Sequence, residues 1–159
     1  MIAAGFRSAL LKIQAALADS RVDWAVTGSL GMALQGMDLP IHDIDIQTDE
    51  DGAYEIERRL AEFVIQPVLF KSSARIRSRL GKLAIDGIPV EVIGAIQKRL
   101  EDDSWEPPIE VASHRLWVDL EGVAIPVLSL EYESEAYRVM GRTERADEIR
   151  KWLKNKPAN

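Results

Sequence analysis

Residues 24–48 read WAVTGSLGMALQGMDLPIHDIDIQT. Val22–Val26 is apolar and partly β-branched, which predicts a short strand. Thr27-Gly28-Ser29 is a turn. Leu30–Gln35 follows as a short helix, with Ser29 as its N-cap and Gly36 as its C′ residue. Met37–Pro40 is loop, because Pro40 lacks a backbone donor. Ile41–Gln47 then alternates as a second strand.

Both ends of this stretch carry chemistry. A helix start exposes unpaired N–H groups and a partial positive charge, and both attract phosphate. Gly28 has no Cβ, so an anion can approach its backbone closely, and the Ser29 hydroxyl adds a donor. The same residues also describe an ordinary strand-to-helix turn. At the other end, Asp43 and Asp45 stand two apart in a strand and so share a face, while Ile44 and Ile46 point the other way. Two neighbouring carboxylates repel unless a cation or donors compensate. Magnesium suits them, being a hard cation held by one or two carboxylates together with substrate phosphates. The alternative is a solvated strand face. A calcium loop fails on spacing, since Gln47 and Thr48 stand where a further ligand and a glycine belong.

Outward from this stretch, residues 3–18 form an amphipathic helix with Phe6, Leu10, Ile13 and Leu17 on one stripe. Thr48-Asp49-Glu50-Asp51 is an acidic helix start, and the helix runs to about Glu62. Val64–Lys71 reads as a strand in which Pro67 signals an edge or a bulge. Ala74–Asp86 and Ile88–Ile93 form a hairpin around Asp86-Gly87, with Gly81 marking a bulge in its first arm. Ala95–Glu101 reads as a helical turn or two. Ser104–Pro108 is a linker, and Val111–Asp119 with Val123–Leu128 is a second hairpin around Glu121-Gly122. Leu130–Met140 and Thr143–Leu153 are two helices split by Gly141, and a frayed polar tail begins at Lys154. Helices at both ends of a strand-rich middle predict an α+β sandwich, a mixed sheet with flanking helices. The 159 residues predict one domain, whose helical C-terminal segment spans about 130–153.

Composition narrows the classes. With no cysteine, neither a disulfide framework nor a thiolate metal site is possible, which fits a reducing, cytoplasmic compartment. No run of 18 apolar residues exists, so no membrane span is expected, and the N-terminus makes a poor signal peptide. The net charge of −6 argues against a surface built broadly for nucleic acid, though a local basic groove is compatible with it.

A third piece is Val90-Glu91-Val92, an acid between β-branched residues. It reads either as a carboxylate beside the aspartate pair or as the solvent side of an alternating strand. Together, Val26-Thr27-Gly28-Ser29, Asp43-Ile44-Asp45-Ile46 and Val90-Glu91-Val92 resemble the nucleotidyltransferase superfamily, the DNA polymerase β-like fold, in its small stand-alone forms. Val127-Leu128-Ser129-Leu130-Glu131, Ala136-Tyr137-Arg138 and Gly141-Arg142 resemble the C-terminal helices of such proteins. The resemblance covers about Val22–Leu153.

The resemblance implies transfer of a nucleoside monophosphate from a nucleoside triphosphate, with release of pyrophosphate. Asp43 and Asp45 would hold magnesium, two ions in all. Glu91 would complete the site and deprotonate or orient the attacking hydroxyl. Gly28 and Ser29 would hold the triphosphate. The acceptor would be a small molecule, a partner-protein hydroxyl or an RNA end, and resemblance to toxin and antitoxin members makes a two-component system an option. So short a chain implies that a homodimer or a partner protein completes the site. The alternatives are a degenerate member that binds without turnover and a plain α+β interaction module.

The sequence also departs from the family pattern. His42 stands where a small hydroxyl residue is common, and residues 37–41 lack a base. Lys71, Arg75, Arg77, Arg79 and Lys82 run without an intervening acid, and Arg75, Arg77 and Arg79 share a face if the segment is a strand. They are the candidate replacement for the loop base in nucleotide binding; a charged strand edge is the other reading. Arg142 and Arg145 read as helix–helix salt links.

Overall fold

A computed structural model describes residues 2–156. The chain folds as α1 (Ala4–Leu17), β1 (Trp24–Thr27), α2 (Gly28–Leu34), β2 (Ile44–Thr48), α3 (Glu50–Arg59), β3 (Val64–Ser72), β4 (Ile76–Ile85), β5 (Ile88–Lys98), β6 (Arg115–Leu120), β7 (Val123–Leu128), α4 (Leu130–Val139) and α5 (Thr143–Asn155). The strands form one mixed sheet in the order β3-β4-β5-β2-β1-β7-β6. β2 runs antiparallel to β1 and parallel to β5, and β7 is parallel to β1. This is the α+β class that the element order predicts.

Strand alternation divides the residues between two faces. Trp24, Val26, Ile44, Ile46, Val90, Val92, Leu83 and Ile85 join the main core with Leu10, Ile13 and Leu17 of α1 and Ala53 and Ile56 of α3. α4 lies over the opposite face: Glu133 reaches Thr27, and Ala136 and Tyr137 share a cavity with Asp45, Gln47 and Ile93. A smaller core of Met32, Leu130 and Ile149 ties α2 to α4 and α5.

Several local expectations hold. The acidic start of α3 is present, with Glu50 and Asp51 in its first turn, and Asp49 proves to be its N-cap, the side chain accepting from the Gly52 N–H at 2.6 Å. Both hairpin turns carry positive φ at both central residues, Asp86-Gly87 and Glu121-Gly122, as the tight two-residue turn requires. β3 is an edge strand, and it bulges: Gln66 pairs with Lys82 and Leu69 with Leu80, so Pro67 and Val68 oppose Gly81 alone. The bulge is therefore in β3 rather than at Gly81 in β4. Gly81 is the residue that makes room for it, since a Cβ there would meet Val68 Cγ2 at 2.7 Å.

Other boundaries differ, each for a physical reason. β2 starts at Ile44, not Ile41, because its partner β1 ends at the Thr27–Asp45 pair and turns into α2. Ser29 is not the N-cap of α2; Thr27 holds that position, without a side-chain cap bond of its own. Val111–Ser113 is a 3₁₀ turn preceding β6. Lys154 and Asn155 close α5 rather than fraying, and the end of the expected tail, 157–159, lies outside the described residues.

The largest difference is at Ala95–Glu101, expected as helix. β5 continues to Lys98 and stays paired with β4. Arg77 pairs with Gln97 but Arg79 with Gly94, so Ala95 and Ile96 together oppose Ser78. Ala95 has φ +52. This bulge resets the alternation. Glu91 and Ile93 face α4, and so do Ile96 and Lys98 beyond it.

Among the described residues, no helix is long and apolar enough to cross a membrane.

Candidate active site

Strand register places two of the predicted carboxylates, Asp45 and Glu91, in one row across the sheet. Thr27 pairs with Asp45, Asp45 with Glu91, and Glu91 with Lys82, across four successive strands. Asp45 and Glu91 are direct neighbours on the face under α4, and Lys82 Nζ lies 3.9 Å from Glu91 Oε1. Asp43 precedes β2 by one residue, close enough for its charge to act on Asp45.

Gly28 abuts this row. Its φ is +67, and a Cβ at that position would lie 2.6 Å from Asp45 Oδ2. Gly28→Ala therefore meets two penalties, a left-handed backbone and a collision with a carboxylate that is itself packed. A loss of about 1–3 kcal/mol is expected in denaturant unfolding; an unchanged midpoint would contradict this packing.

Burial, followed by the charges of Asp43, Glu91 and Glu133, raises the Asp45 carboxyl from 3.8 to about 7. Asp45 Oδ1 is buried without a hydrogen-bond partner among the described residues. Among the described residues, no three His, Asp or Glu side chains stand close enough together to cage a metal ion. Magnesium does not need such a cage, since one or two carboxylates with phosphate and water suffice. An orphaned carboxylate oxygen crowded by negative charge fits a cation of this kind.

Glu133, 105 residues from Gly28, is the group the sequence reading missed. It is 3% exposed. Thr27 Oγ1 donates to its carboxylate at 2.8 and 2.9 Å, and the Gly28 N–H donates at 3.2 Å. Burial raises its carboxyl to about 7 against the pull of those bonds and of Lys98. Glu133 thus takes the amide that the turn was expected to offer to phosphate. Its only sequence signal was an acid on the buried face of a helix.

Lys98 is also buried, at 4% exposure. Burial works against its charge, but Glu106 Oε1 at 2.6 Å and the Tyr132 hydroxyl at 3.3 Å hold its pKa above the ordinary lysine value.

The arginines do not join the carboxylates. Ile76, Ser78 and Leu80 of β4 face α4, so Arg77 and Arg79 project from the other face. Arg79 pairs with Glu50 of α3 at 2.9 Å, and Arg77 bonds Gln97 and stacks over Trp105. Arg75 precedes β4 and donates to the Val139 carbonyl, in a separate cleft of about 680 Å³ with Arg99 and Arg138. That cleft is the larger, but it holds none of the row. Arg142 makes no ion pair among the described residues; it stacks over Tyr137 on the carboxylate side, while Arg145 pairs within its own helix with Glu148.

A cavity of about 330 Å³ opens beside the row, between the sheet and α4. Asp45, Glu91 and Gly28 stand at one end, with Ile93, Ile96 and Leu80 along its wall.

A mixed sheet with this carboxylate row beside a strand–glycine–helix turn is the architecture of a small nucleotidyltransferase-fold protein. Solved structures agree. A Thermotoga maritima protein assigned as a nucleotidyltransferase is 51% identical, with a TM-score of 0.86 over 98% of this chain and 97% of its own. At 14% identity, and so for the fold alone, the chain is similar to ANT(2'')-Ia in complex with adenylyl-2''-tobramycin, with a TM-score of 0.56 over 97% of this chain and 99% of that one. The lincomycin-bound lincosamide antibiotic adenylyltransferase LnuA gives 0.53, also at 14% identity, over 89% and 96%. Residues 9–152 match the aminoglycoside-2''-adenylyltransferase family, and the chain belongs to that family. No curated protein sequence is significantly similar to it.

Proposed function

We propose that this chain is a magnesium-dependent nucleotidyltransferase, moving a nucleoside monophosphate from a nucleoside triphosphate to a hydroxyl acceptor. The observation that carries this reading is the in-register row Thr27–Asp45–Glu91 with Gly28 packed against Asp45. Phosphoryl chemistry asks a protein chiefly for positioning and charge neutralisation.

In this reading Asp43 and Asp45 hold magnesium, which when bound neutralises phosphate charge. The bare Gly28 backbone gives the triphosphate close access, and Ser29 offers it a hydroxyl. Glu91, on the far side of Asp45 from Gly28, orients the acceptor hydroxyl and takes its proton, which passes on to solvent. The acceptor oxygen bonds to the α-phosphorus. The bond from that phosphorus to the oxygen bridging the β-phosphate breaks, and pyrophosphate leaves. A small molecule, a partner-protein hydroxyl and an RNA end are the acceptor classes, and the net charge of −6 disfavours RNA.

One observation favours a second reading, nucleotide or partner binding without turnover: the Gly28 amide is already held by Glu133. Melting the protein with each of the four ribonucleoside triphosphates, with and without magnesium, followed by assay of pyrophosphate release, separates the two. A ligand at a hundred times its dissociation constant stabilises by about 2.7 kcal/mol. The transferase reading expects a magnesium-dependent rise in melting temperature together with pyrophosphate release; the second expects the rise alone. No rise with any triphosphate would contradict both.

A further inference from the structure

We infer that the cavity between the sheet and α4 takes the acceptor, and that this acceptor is compact and largely apolar, neutral or singly anionic, and not a polycationic aminosugar. The inference rests on the transferase reading for the position of the triphosphate.

Gly28 lies on the β1 side of Asp45, and the cavity extends to the opposite side, over β5 and β4. With phosphate beside Gly28, the cavity opens onto Glu91, where the acceptor hydroxyl belongs.

About 330 Å³ is near the lower end for small-molecule sites. Ile76, Leu80, Ile93, Ile96 and Met140 supply its apolar wall. Such a slot accepts one or two fused rings, not a chain of polar sugars.

Gln47 is 8% exposed and lines the cavity two residues beyond Asp45 on the same face of β2. Its Oε1 is buried with no hydrogen-bond partner among the described residues. An unpaired buried acceptor is costly, so one donor on the ligand gains affinity by meeting it.

Asp45 and Glu91 are committed to the reaction, and Glu133 is turned onto Thr27 and Gly28. The remaining charged groups of the lining are Lys98, whose charge Glu106 already meets at 2.6 Å, and Arg142, which makes no ion pair among the described residues. An amine in the apolar end would meet the cationic Arg142 and no carboxylate free to pair with it, and would stay in water.

Calorimetric titration of the full chain, with neither nucleotide nor magnesium, tests this with three probes: 2-naphthol, 4-hydroxybenzoate and tobramycin. At least one of the two compact phenols should bind. Its affinity should fall three- to tenfold in Gln47→Leu and at least tenfold in Ile96→Trp, which fills the slot from a different strand. Tobramycin should show no binding that either variant weakens. Failure of both phenols to bind, equal phenol binding in wild type and Ile96→Trp, or tobramycin binding lost in Ile96→Trp would each overturn the inference. Because no triphosphate is present, these outcomes are independent of the magnesium–triphosphate melting shift that tests the transferase reading.

Discussion

Asp45→Asn should stabilise the metal-free protein at pH 8 by about 2–4 kcal/mol. Burial and three neighbouring carboxylates raise the Asp45 carboxyl from 3.8 to about 7. At about 1.4 kcal/mol per unit, that shift sets a ceiling near 4 kcal/mol, which partial exposure lowers. Between pH 4 and 7 the folded state binds more protons at this site than the unfolded state, so stability falls as pH rises through that window. The penalty is complete above pH 7 and gone below about pH 4. Asparagine keeps the shape without the charge, so its advantage should be largest at pH 8 and shrink steadily on acidification. Denaturant unfolding in a chelator at pH 8, 6 and 4 measures it. Equal stability of the two proteins at all three values would show that the carboxylates do not oppose one another. The same variant should lose any magnesium-dependent stabilisation by triphosphate, because the group that destabilises the empty site is the one a cation satisfies.

The second large effect is at Glu133. With its carboxyl raised from 4.5 to about 7, Glu133 is mainly protonated in the folded protein at pH 5, and most of the penalty for burying its charge is absent there. Glu133→Ala then removes the acceptor for Thr27 Oγ1 and the Gly28 N–H and leaves a void. A loss of about 2–4 kcal/mol is expected. Glu133→Gln keeps an oxygen able to accept from the same donors and should cost under about 1 kcal/mol at pH 5. At pH 8 it should gain on wild type, since burial raises the native carboxyl to about 7 and the sign follows Asp45. A Gln variant as unstable as the Ala variant at pH 5 would contradict the assignment of these hydrogen bonds.

What the sequence shows and what it hides follow from the range of the interactions. The strand that carries Asp45, the acidic start of α3 and both tight hairpins are local, and their residues alone dictate them. Arg75, Arg77 and Arg79 illustrate the limit. Alternation puts Arg77 and Arg79 together, but which face of β4 they take depends on where α3 and α4 pack. A clue was present: Arg79 shares its parity with the core residues Leu83 and Ile85, and Lys82 shares that of Ser78 and Leu80. The bulge at Ala95–Ile96 could not be read, because nothing but pairing with β4 shows that two residues oppose one. Its consequence is structural, since it turns Lys98 toward the cavity under α4. Glu133 escaped because its partners, Thr27 and Gly28, lie more than a hundred residues away.

Magnesium–ATP titrated calorimetrically into wild type, Asp43→Asn, Asp45→Asn and Glu91→Gln tests the central claim most directly. If the row across β1, β2 and β5 is the nucleotide site, wild type binds only with magnesium present. Asp43→Asn and Asp45→Asn then weaken binding at least tenfold, and Glu91→Gln, placed on the acceptor side, weakens it least. Binding that ignores magnesium, or that survives unchanged in Asp45→Asn, would contradict it.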